Sequence, residues 1–136
     1  MTYKEELPNQ CPPEDATDKP LPSVCRFFPF PENDPRNFHS HHKLGKPTGN
    51  AGECRAKSVS LFKAGAVPDV LAAKRTAFFK KWKIGLLNIP AGAGPSKEAG
   101  TGHIDWWLYA GFDPFSSMVC VCESAEDLKQ AVKDAS

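Results

Sequence analysis

The residue types best suited to chemistry lie together in residues 102–111, which read GHIDWWLYAG. Successive side chains of an extended strand point to opposite faces of a sheet, so His103 and Asp105 share one face. A carboxylate at this spacing can orient an imidazole and raise its basicity, which would make His103 a general acid or base and Asp105 its partner. The alternative is structural: His103 caps the strand and Asp105 pairs with a nearby lysine. The sequence leaves both interpretations open.

The same alternation separates the aromatic residues of this stretch. Trp107 and Tyr109 fall on the face of the His/Asp pair, where amphipathic rings could stack on a planar ligand such as a nucleobase. Such rings also pack in cores, so stacking is a hypothesis. The opposite face is expected to be core and carries Ile104, Trp106 and Leu108.

Charge is distributed unevenly, although 17 basic and 16 acidic side chains nearly balance. The net charge is −4 over residues 1–35, +9 over residues 36–83 and −4 over residues 84–136. A central basic block can attract phosphates, nucleotides or nucleic acid. The competing interpretation is that these cations face solvent and that the acidic ends fold back over them.

A second pattern involves three positions that are far apart in the chain. Arg26 lies on the first predicted strand, Ser58 and Ser60 form a Ser-x-Ser strand followed by a helix, and Glu123 ends a late strand. This order resembles small ADP-ribosyltransferase toxins, although the fuller late acidic motif of several such enzymes is missing. The resemblance implies that Arg26 and Ser60 bind NAD and that Glu123 is catalytic.

Other site motifs are weak or absent. The histidines at 39, 41 and 42 and the pair Cys120 and Cys122 give only an H-x-H and a C-x-C, which lack the usual paired spacing of zinc ligands. The glycine-rich residues 92–102 lack the P-loop pattern and are expected to form a mobile loop. We therefore predict no metal site, and the residues alone name no cofactor.

The elements that must position these residues follow from periodicity and from turn residues. Pro68 and Ser124 begin two predicted helices, the first with Val70, Ala73, Ala77 and Phe78 at helical spacing and the second amphipathic and C-terminal. Apolar, β-branched or aromatic runs predict five strands, at residues 24–28, 58–62, 82–89, 102–111 and 118–122. The predicted fold is α+β: a small, mostly antiparallel sheet of about five short strands with two helices packed on it.

Composition also suggests how the chain is divided. Residues 1–22 are acidic and proline-rich and are expected to be extended, while residues 23–136 form a single α+β domain. No apolar run is long enough to span a bilayer, so we expect a cytoplasmic protein with no membrane partner. Its five cysteines are then expected to be reduced thiols, with Cys120 and Cys122 buried and inert.

The leading functional hypothesis is a small domain that binds an anionic, base-containing ligand, a nucleotide or nucleic acid. Whether it is an enzyme is left open; catalysis would use the His/Asp pair, as in an ADP-ribosyltransferase-like toxin or effector. The alternative is a non-catalytic module that binds a protein partner through its tryptophan-bearing strand surface. The enzymatic hypothesis requires Arg26, His39, Ser60 and His103 to converge on one cleft. The predicted ligand contacts are Arg26, Arg55, Lys57, Ser60, Trp107 and Tyr109.

Overall fold

A computed structural model describes residues 2–46, 52–73 and 82–135. Its centre is one six-stranded antiparallel sheet with the strand order β4-β5-β2-β1-β3-β6. The α+β class with a mostly antiparallel sheet is therefore confirmed. The strands are β1 (Leu21–Phe28), β2 (Val59–Lys63), β3 (Lys83–Ile89), β4 (Ser96–Glu98), β5 (His103–Trp106) and β6 (Met118–Cys122).

Three α-helices accompany the sheet: α1 (Glu53–Ala56), α2 (Val67–Ala73) and α3 (Ala125–Ala135). Helix α3 begins as predicted, because the Ser124 hydroxyl accepts a hydrogen bond from the Asp127 amide. Helix α2 confirms the predicted start near Pro68, whereas the expected contacts of Ala77 and Phe78 lie outside the described residues. Short 3-10 helices cover Pro35–Phe38, Ala64–Ala66 and Pro114–Ser117.

Each face of the sheet is covered by its own apolar cluster. The predicted core residues Ile104, Trp106 and Leu108 are 3%, 0% and 6% exposed and belong to the first cluster. Helices α2 and α3 both pack on the opposite face, as expected, through residues such as Val67 and Leu128. The face that carries His103 and Asp105 is thus the helix-covered face, and the site lies beside this second cluster.

The pairing of β1 differs on its two sides. It pairs with β3 from Leu21 opposite Ile89 to Phe28 opposite Lys83. It pairs with β2 only at two positions, Val24 opposite Lys63 and Cys25 opposite Phe62. Beyond Cys25 the two strands no longer pair, and buried carbonyl groups in this opening need other donors.

The glycine-rich segment before β5 is not the mobile loop that the sequence suggested. It contains β4, in which Ser96 pairs with Trp106, and its residues 93–96 are buried. The approach is close: a Cβ at Gly94, where φ is +134°, would lie 2.0 Å from the Trp107 carbonyl oxygen. A strand of three residues is too short to show an alternating hydrophobic pattern, so β4 is recognised only by its pairing with β5.

Residues 2–20 form no helix and only isolated β-bridges, but they are held at several points. Tyr3 forms an isolated bridge with Tyr109 and Thr17 forms one with Ser96. Cys11 forms a disulfide with Cys54 of α1, 43 residues away in the chain. The expectation that all cysteines are reduced is therefore wrong for this pair, because the pairing depends on tertiary packing that spacing does not encode.

The other three cysteines are free thiols in the helix-covered cluster. Burial raises the pKa of Cys25 to about 12 and that of Cys122 to about 11. Cys122 is therefore buried as predicted, and its raised pKa disfavours the reactive thiolate. Cys120 is only half-buried, and its sulfur lies 3.8 Å from that of Cys122. Among the described helices, none is long and apolar enough to cross a membrane.

Candidate ligand-binding site

A cavity of about 560 Å³ lies over the opening between β1 and β2. A smaller one of about 170 Å³ shares His41, Ser60 and His103 with it and adds Arg55 and Asp105. The four residues that the enzymatic hypothesis requires in one cleft therefore converge only in part. Arg26, Ser60 and His103 line the large cavity, whereas His39 contributes its backbone carbonyl to Arg26 and does not line it.

Arg26 closes the opening between the strands. Its Nε donates to the carbonyl oxygen of Asn37 at 2.9 Å, and its two terminal nitrogens donate to those of Ser60 at 2.9 Å and His39 at 3.2 Å. The residue is 8% exposed, and burial lowers the pKa of its guanidinium to about 10. No carboxylate of the described chain forms an ion pair with it. The guanidinium is thus a buried positive charge at the wall of the cavity.

The predicted His/Asp pair is present, with an arginine between its members. Arg55 Nε lies 3.1 Å from Asp105 Oδ2, and an Arg55 terminal nitrogen lies 3.2 Å from His103 Nδ1. A guanidinium only donates hydrogen bonds, so His103 Nδ1 is the acceptor and Nε2 carries the proton of the neutral ring. This nitrogen is 3.6 Å from Asp105 Oδ1, which is beyond hydrogen-bonding distance. The partner of Asp105 is therefore Arg55 and not the lysine of the structural alternative.

Aromatic rings form the apolar side of the large cavity. Phe62 stacks on His103 with ring centroids 5.1 Å apart, and Trp82 lies below the ammonium of Lys46, which is 5.2 Å from its ring centroid. Neither these wall residues nor His41 were among the predicted ligand contacts. Trp82 is the one tryptophan outside residues 102–111. This tryptophan and the basic block were the sequence signals that could have indicated the cavity.

The cavities are electrostatically positive. Three lining residues, Arg26, Lys46 and Arg55, are basic, while Asp105 is the single acidic lining residue and is paired with Arg55. With low-dielectric aromatic walls nearby, such a charge imbalance favours an anionic ligand.

Trp107 occupies a different environment from the one expected. Its ring is 2% exposed, and its Nε1 donates to the Cys54 carbonyl oxygen at 3.0 Å. The expected surface position is therefore wrong, because α1 packs over this ring. The ring anchors α1 and so helps to place Arg55.

Two further predicted ligand contacts lie away from both cavities. Tyr109 packs against Tyr3 with ring centroids 5.5 Å apart, and burial raises the pKa of its phenol. Lys57 Nζ donates to the Glu6 carbonyl oxygen at 2.6 Å and pairs with Glu53 at 3.2 Å. Both side chains hold the N-terminal segment or α1 in place.

The residues of the ADP-ribosyltransferase pattern are only partly brought together. Arg26 and Ser60 meet at the large cavity, while the Ser58 hydroxyl donates to the Arg55 carbonyl oxygen at 2.7 Å. Glu123 borders a separate depression together with Glu32 and Lys83.

Comparison with protein-family models, curated proteins and solved structures found no match for this chain. In residues 2–46, 52–73 and 82–135, no group of three or more His, Cys, Asp or Glu side chains is placed to hold a metal ion. The geometry of the two cavities is therefore the basis for proposing a function.

Proposed function

We propose that this protein binds a nucleotide in the cavity over the opening between β1 and β2. The observation that carries the proposal is the guanidinium of Arg26, a buried cation at the cavity wall that forms no ion pair with any carboxylate of the described chain. A phosphate there would compensate the charge that burial penalises.

The other walls suit the remaining parts of a nucleotide. Phe62 and Trp82 offer apolar, aromatic surface for a planar base, and Lys46 adds a second cation. A volume of about 560 Å³ lies within the usual range for small-molecule sites. One nucleotide unit fits such a cavity better than a nucleic acid strand does, so we place a mononucleotide ahead of DNA or RNA.

Catalysis by His103 requires a rearrangement. With Arg55 donating to Nδ1 and the proton on Nε2, neither ring nitrogen has a lone pair available to act as a base. A ligand that draws Arg55 away would release Nδ1. The position of Glu123 does not support ADP-ribosyl transfer, so the proposal is limited to binding.

The alternative of a protein-binding tryptophan surface is not adopted. Trp106 is 0% and Trp107 is 2% exposed, so neither ring presents an anchor to a partner.

The disulfide changes the expected compartment. Disulfides persist in oxidising compartments and are rare in the cytosol. Because Cys11 and Cys54 are bonded, we propose that the protein acts where disulfides are stable, in place of the cytoplasmic location expected from the sequence.

Calorimetric titration of the purified protein with AMP tests the function. We expect binding, weakened about tenfold in Lys46→Ala by loss of a charge-assisted contact and unchanged in Lys129→Ala, which removes an exposed lysine from α3. Adenosine and inorganic phosphate should each bind more weakly than AMP. Absence of binding by AMP, ADP, GMP and UMP at millimolar concentration would refute the proposal.

A further inference from the structure

The small cavity contains a buried hydrogen-bond acceptor without a donor. Asp105 is 3% exposed, and its Oδ2 is engaged by Arg55 Nε at 3.1 Å. Its Oδ1 is inaccessible to solvent and accepts no hydrogen bond from the described residues; His103 Nε2, at 3.6 Å, is too distant. A buried carboxylate oxygen without a donor is unfavourable, so a ligand that donates a hydrogen bond here gains affinity.

We propose that Asp105 Oδ1 accepts a hydrogen bond from a ribose hydroxyl, so that the site binds a ribonucleotide more tightly than the analogue that lacks both ribose hydroxyls. This inference rests on the proposed nucleotide binding. The two cavities share His41, Ser60 and His103, so one ligand can extend from the large cavity into the small one. With the phosphate at Arg26 and the base against Phe62, the sugar reaches Asp105 Oδ1 when ligand binding shifts the side chains of the small cavity that keep this oxygen from solvent.

Charge determines which group of the ligand can lie against Asp105. A carboxylate paired with an arginine accepts hydrogen bonds and does not donate them, and Arg55 Nε lies 3.1 Å from Asp105 Oδ2. Phosphate oxygens are repelled by Oδ1, whereas hydroxyl groups donate to it. The small volume, about 170 Å³, admits a sugar edge more readily than a second base.

The decisive measurement compares dissociation constants for AMP and 2′,3′-dideoxy-AMP with the wild-type protein and with Asp105→Asn. We expect the wild type to prefer AMP by about tenfold or more, as for a hydrogen bond to a charged group. In Asp105→Asn the amide oxygen faces the donors of Arg55 and the NH₂ group takes the place of Oδ1. An acceptor becomes a donor there, and the preference for AMP should fall below about twofold.

Arg55→Gln is the matched control because it breaks the same ion pair and leaves the carboxylate in place. It should keep the preference for AMP even if overall affinity falls. If Asp105→Asn does not fold, the wild-type comparison still decides. Equal affinity for AMP and the dideoxy analogue, or a preference that survives in folded Asp105→Asn, overturns the inference while nucleotide binding stands. Failure of both ligands to bind the wild type instead refutes the proposed function.

Discussion

The backbone hydrogen-bonding groups on the two sides of β1 are satisfied in different ways. Toward β3 the strand is paired at Leu21 and from Val24 to Phe28, with one irregularity between them, where the Asn88 side chain accepts from the Ser23 amide. Toward β2 the pairing stops after Cys25. There the side chain of Arg26 donates a hydrogen bond to the unpaired carbonyl oxygen of Ser60. The difference shows how a gap in a sheet can place a charged group inside a fold, where a ligand can use it.

The two halves are also stabilised by different means. The β3–β6 side is covered by α3, whose Leu128 is 2% exposed in the apolar cluster. On the β2–β5 side, α1 is a single turn held by the Cys11–Cys54 disulfide and by the hydrogen bond from Trp107. We therefore expect core substitutions to change stability alone on the first side, and to change stability and ligand affinity together on the second.

The largest effect is expected for Arg26→Met. Three carbonyl groups, one in a buried and two in part-buried hydrogen bonds, lose their donor, which should lower the free energy of unfolding by about 4 kcal/mol and abolish AMP binding. Leu86→Ala, on the β3 side, should cost about 3 kcal/mol through a core cavity and leave the affinity for AMP unchanged. Urea denaturation and calorimetric titration measure the two quantities. Equal loss of affinity in both folded variants would contradict the contrast between the two sides.

The paired side of the sheet was predictable, because its strands carry their own signal. The runs at Val24–Phe28, Lys83–Ile89 and Met118–Cys122 are apolar and bounded by turn residues, and the structure confirms a strand at each. The start of α3 at Ser124 was readable for the same reason. Local pattern and tertiary pairing agree in these elements.

The open side was predictable only in part. Alternation placed His103 and Asp105 on one face and Trp106 in the core, and the structure confirms both placements. It could not show that α1 covers Trp107, since Cys54, whose carbonyl accepts from the Trp107 ring, lies 53 residues away in the chain. Contacts between distant segments leave no periodic pattern in the sequence. For the same reason β4 and the disulfide could not be predicted.

The second effect concerns the disulfide on the open side. Replacing both Cys11 and Cys54 by serine releases a constraint between residues 43 apart and should lower the free energy of unfolding by about 3 kcal/mol. Because Cys54 precedes Arg55 in α1, the affinity for AMP should also fall. Cys120→Ser, which alters a half-buried free thiol on the opposite side, should leave affinity unchanged. Unaltered AMP binding in the double variant would show that α1 is positioned without the disulfide.

The smallest effect is expected at His39, whose carbonyl accepts from Arg26 while its ring is partly buried. Desolvation, with a smaller contribution from Lys43, lowers the pKa of the ring below its ordinary value of 6.5. The unfolded chain then binds the proton first, so the stability contributed by neutral His39 is complete above pH 6.5 and is lost as the pH falls through the lowered pKa. Replacing His39 with Gln should flatten the decline in melting temperature between pH 7 and pH 5, by less than either change above. The two proteins differ only at residue 39, so the difference between their profiles reports this ring, and identical profiles would contradict its expected contribution.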